Sequence, residues 1–223
     1  MVRRLASFVA AFVAALAIVA PAHAVGIEEA RQKAHQRAQQ DVSLGDEAFG
    51  SKQWDAAIDH YTQAIDGKGC DADCLATVYF HRGVAYQQKS DCAKALADYA
   101  KAAETIKDNG DLYFEQSVCH NALNQPDLAM ADLNNALKVN PDSTIYHHDR
   151  CIALFNKHDF ANALPDCEFT LSAAPDDQTM LYATAMSAEQ TGDPAKAAKY
   201  YKHILELDHN NAQAADGLKR VGG

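Results

Sequence analysis

Residues 95–102, Ala-Leu-Ala-Asp-Tyr-Ala-Lys-Ala, have counterparts at 57–64 (Ala-Ile-Asp-His-Tyr-Thr-Gln-Ala), 129–136 (Ala-Met-Ala-Asp-Leu-Asn-Asn-Ala), 163–170 (Ala-Leu-Pro-Asp-Cys-Glu-Phe-Thr) and 197–204 (Ala-Ala-Lys-Tyr-Tyr-Lys-His-Ile). Their leading alanines, Ala57, Ala95, Ala129, Ala163 and Ala197, stand 38, 34, 34 and 34 residues apart. A fixed period of this length marks stacked helical hairpins. Four residues after each alanine comes Tyr61, Tyr99, Leu133, Cys167 or Tyr201, and seven after it Ala64, Ala102, Ala136, Thr170 or Ile204. Those spacings put all three columns on one helical face. Twelve residues before each alanine is a small residue, Gly45, Gly83, Ser117, Cys151 or Ala185, where an earlier helix must let a neighbour come close.

The pattern resembles the tetratricopeptide repeat over residues 38–211, as five units of about 38–71, 76–109, 110–143, 144–177 and 178–211. Leu44, Gly45 and Tyr61 carry the likeness, as do Pro141 and Pro175, which cannot continue a helix. Pro126 and Pro194 open second helices, where a missing N–H has no partner to lose. The family's early tryptophan is replaced by Asp41, Tyr79, Tyr113, His147 and Leu181. The resemblance implies an all-α fold: an α-solenoid of five helix-turn-helix repeats. Residues 211–223, with Ala212, Ala215 and Leu218 on one side, read as a capping helix. Residues 25–37 read as a helical extension of the first unit, with self-association through Ile27 to Ala38 as the alternative.

The first 24 residues have the layout of a secretory signal: Arg3 and Arg4, an apolar run from Leu5 to Ala20, then Ala22-His23-Ala24. The run falls short of the ~20 apolar residues that cross a bilayer. Cleavage before Val25 leaves a periplasmic chain of 199 residues with 18 basic and 30 acidic side chains, a formal charge of −12. Nucleic acid and anionic lipid both need clustered Lys and Arg, so neither is expected as a partner.

Six cysteines in an exported chain read first as a disulfide framework. The register places Cys151 against Cys167 where unit two has Gly83 against Tyr99. Cys70 and Cys74 sit in the segment Asp66 to Leu75, which must house the four residues that stretch 34 to 38, so a bridge there staples a bulged connection. Cys92 and Cys119 lie near the same rim of adjacent units and are left to pair by elimination.

Catalytic and metal chemistry are not indicated. His147 to Cys151 is the most crowded titratable stretch, yet consecutive helical residues point about 100° apart and share one ligand sphere poorly. No His-x3-His or Cys-x2-Cys pair, glycine-rich phosphate loop or Gly-x-Ser-x-Gly elbow occurs. The expectation is a non-enzymatic chain without metal or cofactor.

The resemblance further implies that the first helix of each unit lines a concave groove that binds a peptide or protein partner. By register the groove contains Phe49; Phe80, Val84, Gln87 and Gln88; Phe114, Val118 and Asn121; His148, Ile152, Phe155 and Asn156; and Tyr182, Met186 and Gln190. Apolar anchors would bury partner side chains while the amides bond its backbone. No lysine or arginine stands at these places, which differs from the family's carboxylate clamp and favours a neutral or basic, apolar-bearing segment of a cell-envelope protein. A self-assembling envelope protein is the alternative.

Overall fold

Five helical hairpins and a closing helix make up the described part of the chain, residues 22–223 of a computed structural model. The hairpins are α1 (Ala22–Gly50) with α2 (Trp54–Asp66), α3 (Ala72–Gln88) with α4 (Cys92–Ala102), α5 (Gly110–Ala122) with α6 (Pro126–Val139), α7 (Thr144–Asn156) with α8 (Phe160–Ala173), and α9 (Gln178–Gln190) with α10 (Pro194–Leu207). Helix α11 (Ala212–Arg220) follows. The described residues contain no strand, and the fold is an all-α solenoid. The apolar run of the expected signal lies outside the described residues. No described helix is long and apolar enough to cross a membrane.

Each hairpin turns on one residue in the left-handed region: Lys52, Ser90, Asn124, His158 and Gly192. These positions repeat with the same 38, 34, 34 and 34 spacing as the alanines. The next amide then bonds back to a carbonyl five residues earlier, Gln53 to Ala48, Asp91 to Tyr86, Gln125 to His120, Asp159 to Leu154 and Asp193 to Ala188, at 2.8–2.9 Å. This closure satisfies carbonyls that the helix end would otherwise strand. Only glycine adopts the conformation freely, so the other four turns each carry a steric cost of about 1 kcal/mol. Packing inside the hairpins must offset it.

That packing is a contact between a small residue and a ring. Tyr61, Tyr99 and Tyr201 are wholly buried, as are Ala57, Ala95, Ala163 and Ala197. A Cβ added at Gly45 or Gly83 would lie 2.6 Å from the ring of Tyr61 or Tyr99, so no side chain fits there without displacing the tyrosine. The hydroxyls donate to Asp46, Gln87 and Glu189, each at 2.7 Å. Burial pushes all three phenols well up, which keeps them as donors.

Unit four replaces this contact with a covalent one. Cys151 is bonded to Cys167 at 2.05 Å, their Cα atoms 5.2 Å apart. Closing a loop of this length stabilises by about 3 kcal/mol in the chain-entropy account. Cys70 is bonded to Cys74 at the start of α3. The four extra residues do not form the expected bulge: α3 has 17 residues where α5, α7 and α9 have 13, so they add one helical turn. The expected third bridge is not formed, since Cys92 and Cys119 are buried free thiols. Both pack as small apolar groups among Tyr99, Ala95 and Leu112, and the Cys119 thiol donates to Gln87 Oε1 at 3.3 Å. Burial pushes the Cys119 thiol up. Iodoacetamide should therefore leave both cysteines unmodified in the native protein, and peptide mass mapping should find them alkylated only after unfolding.

Buried ion pairs tie successive units. Arg82 grips Asp98 through two bonds of 2.8 Å and reaches back to Thr62 at 2.9 Å. Sixty-eight residues later, Arg150 grips Asp166 at 2.6 and 2.9 Å and reaches back to Asn134 at 3.0 Å. His147 Nδ1 lies 2.7 Å from the same Asp166 carboxylate. Asp166→Ala strands two groups at once and should cost about 3–5 kcal/mol of stability, read from urea unfolding.

The N-terminal extension is continuous with α1. Ala38 is buried, and the His35 ring donates to the Gly69 carbonyl at 2.9 Å, which docks this part of α1 on the turn before α3. Val25 and Ile27, nearer the start of α1, remain exposed.

Candidate peptide-binding groove

The first helices α3, α5, α7 and α9 carry every groove residue expected from the register apart from Phe49, on α1. Each of these residues keeps part of its surface in solvent, and Gln88, Asn121, Asn156 and Gln190 are exposed. They do not act as one continuous site. Two adjoining cavities lie along α5, α7 and α9.

The first cavity, about 450 Å³, lies between α5, α6 and α7. Val118 and Asn121 line it from α5, Pro126, Ala129 and Leu133 from α6, and His148, Asp149, Ile152, Ala153 and Asn156 from α7. The second, about 460 Å³, continues from Ile152, Phe155 and Asn156 to Thr179, Tyr182 and Ala183 of α9. Asn211 and Gln213 close it at the start of α11. Because Ile152 and Asn156 line both, the two cavities form one trough with an apolar floor and amides along its edge.

Other expected groove residues serve the scaffold. Phe49 stacks on His81 at 5.5 Å and meets Trp54 edge-on at 5.4 Å. Phe80 leans on Tyr99 at 6.0 Å, and Val84 packs against the same core cluster. Phe114 stacks on Tyr146 at 5.1 Å. Gln87 spends its amide inside the fold, accepting from Tyr99 and donating to Glu115 at 2.6 Å. Met186 lies beneath the Tyr201 hydroxyl at 3.7 Å. The register missed the trough's second-helix floor, Ala129 and Leu133, and the contribution of α11. Leu133 in a column of tyrosines was the available signal for that floor.

Charge is arranged unevenly. Among the first helices after α1, the only Lys or Arg side chains are Arg82 and Arg150, both turned onto second-helix aspartates. Lys157 at the trough's edge is paired with Asp127 at 2.5 Å. Asp149, beside it, accepts from His148 at 2.8 Å. Burial pushes the Glu115 carboxyl up. No group of three or more His, Cys, Asp and Glu among the described residues is placed to hold a metal ion.

These features define a helical-repeat solenoid with a trough at its C-terminal half. Models of the tetratricopeptide repeat match residues 110–143 and 149–213, and the chain is a tetratricopeptide repeat protein. YrrB, described as a TPR protein with an unusual peptide-binding site, superposes with a TM-score of 0.69 at 21% identity, over 89% of this chain and 98% of that one. A MamA structure superposes at 0.67 with 22% identity, over 80% and 96%. Another does so at 0.66 with 17% identity, over 80% and 95%. The mitochondrial import receptor subunit TOM70 of Homo sapiens is 24% identical over 166 residues, 70% of this chain. The chain spans 27% of that receptor's length.

The trough's far wall depends on α11, which Arg220 pins by bonding Glu189 at 2.7 and 3.0 Å. Arg220 holds the Glu189 carboxyl below its ordinary value of 4.5. A carboxyl lowered in the folded state stabilises fully above its unfolded value and stops doing so as pH falls through the lower, folded one. Arg220→Ala should lower the melting temperature at neutral pH and flatten its decline on acidification through that range, as followed by circular dichroism.

Proposed function

We propose that this chain is a non-enzymatic interaction scaffold that holds an extended segment of a cell-envelope partner protein in the trough formed by α5, α7 and α9. The observation that carries this reading is the pair of adjoining cavities sharing Ile152 and Asn156. Together they offer apolar pockets at successive repeats, with exposed amides between them that suit an extended backbone. The peptide-binding site named for YrrB and the receptor role named for TOM70 are consistent with it. The lack of unpaired first-helix cations over α3 to α9 favours a neutral or basic segment over an acidic one.

We place the working protein in the periplasm. Support comes from the apolar run between Arg4 and Pro21 and from the two cystine bridges, which persist in oxidising compartments. Amino-terminal sequencing of the chain from a periplasmic extract should begin at Val25, and an unprocessed chain in the cytosol would overturn the placement.

Binding is tested on an array of immobilised peptides. Asn156→Ala should weaken capture by about tenfold, the loss of a backbone-bonding residue at an interface centre, with the melting temperature unchanged. Phe155→Ser should weaken it further at the cost of some stability, because Phe155 also packs on Phe160 at 5.6 Å. Peptides held equally by both variants would remove the trough as the site.

A further inference from the structure

The first cavity stands where the other units keep a tyrosine. Tyr61, Tyr99 and Tyr201 each fill the wedge beside their own second helix, and unit four closes its wedge with the Cys151–Cys167 bridge. Unit three has Leu133 over Ser117, both buried, and nothing of ring size. The opening is therefore the space of a missing side chain.

Its walls match that description position by position. Tyr61 meets Asp46, fifteen residues before it, and His81, twenty after it. Tyr99 and Tyr201 meet Gln87 and Glu189, twelve residues before them. The same offsets from Leu133 give Val118, Ala153 and Asn121, and all three line the cavity. Ala153 is small where His81 has a ring, which widens the mouth. Asn121 stands where Gln87 and Glu189 accept a phenol, and among the described residues its side chain is exposed and makes no hydrogen bond.

We infer that this cavity takes an aromatic side chain, tyrosine or phenylalanine, from the segment bound in the trough, so that the partner supplies the ring that unit three omits. The inference rests on the scaffold reading above. Val118, Ala129, Leu133 and Ile152 enclose the ring, and Asn121 accepts the hydroxyl when tyrosine enters. An aromatic side chain buries 150–250 Å², enough to dominate a short-peptide interface. The residues flanking it are neutral or basic: Asp149 lies at the cavity's rim, and the one lysine there is paired with Asp127.

The probe is p-cresol, which is the tyrosine side chain alone, titrated into the full chain while the methyl resonances of Val118 and Ile152 are followed by NMR. Saturable shifts at both are expected, and their absence overturns the inference. Leu133→Tyr puts the chain's own ring into the space; it should weaken p-cresol binding by about tenfold or more, the scale of losing an anchor pocket. If that variant does not fold, Ala153→Leu narrows the same mouth from α7 and should have the same effect. Undiminished binding in the folded variant overturns the inference. The peptide array separates it from the scaffold reading. Captured peptides that lack an aromatic and ignore Leu133→Tyr end the anchor and leave the scaffold standing, whereas a saturable p-cresol site with an array that captures nothing supports the cavity and ends the scaffold.

Discussion

The solenoid depends on the two helices of each hairpin approaching until a buried residue of the second packs directly against a small residue of the first. At Gly45 and Gly83 the tyrosine ring occupies the space a Cβ would need, and the buried alanine column keeps the partner helix equally close. Close approach fixes the angle of each hairpin. The repeated angle stacks the units and turns their first helices toward one another. Dispersion and apolar burial at these contacts offset the left-handed turns, which four of the five hairpins make without glycine. A groove follows from this geometry before any residue in it is chosen.

The fold was legible because periodicity is a property of the whole chain. Five returns of alanine and small residue, three of them completed by a tyrosine ring, specify five hairpins, and the signal holds even where Pro165 falls inside α8. The trough was legible only in part. Register identifies which residues of a first helix point inward, but a half-exposed Phe80 or Phe114 serves the neighbouring unit as readily as a ligand. Their stacking on Tyr99 and Tyr146 is decided by the spacing between units, which sequence does not carry. The cysteines divide the same way. Cys151 and Cys167 fall within one hairpin, whose geometry the repeat dictates. Cys92 and Cys119 lie in different units, and there the Gln87 side chain takes the Cys119 thiol as a donor.

A second periodic feature explains why one junction differs from its neighbours. Asp98, Asp132 and Asp166 recur every 34 residues on the second helices. The first and third are held by Arg82 and Arg150, each of which also bonds the preceding unit. Unit three has Gln116 at the arginine's place, so Asp132 turns inward to His120, with Nδ1 at 2.6 Å. Burial pushes the Asp132 carboxyl up, against the bond from His120. Unit three thus lacks both its tyrosine and the arginine that would brace it against the unit before.

Losing two braces from one unit is costly unless neighbouring contacts compensate. The compensation lies next door, where unit four has a covalent hairpin and its arginine reaches back to Asn134 of α6. The cavity between α5 and α7 is therefore walled by one relaxed unit and one stiffened unit. A cavity that stays open needs that combination, since a space left in a uniformly loose array would collapse and a uniformly tight array would have filled it. Departures from a repeat's consensus are then most informative where they occur as neighbours: the residue that removes bulk and the residues that prevent collapse identify the site together, though neither does so alone.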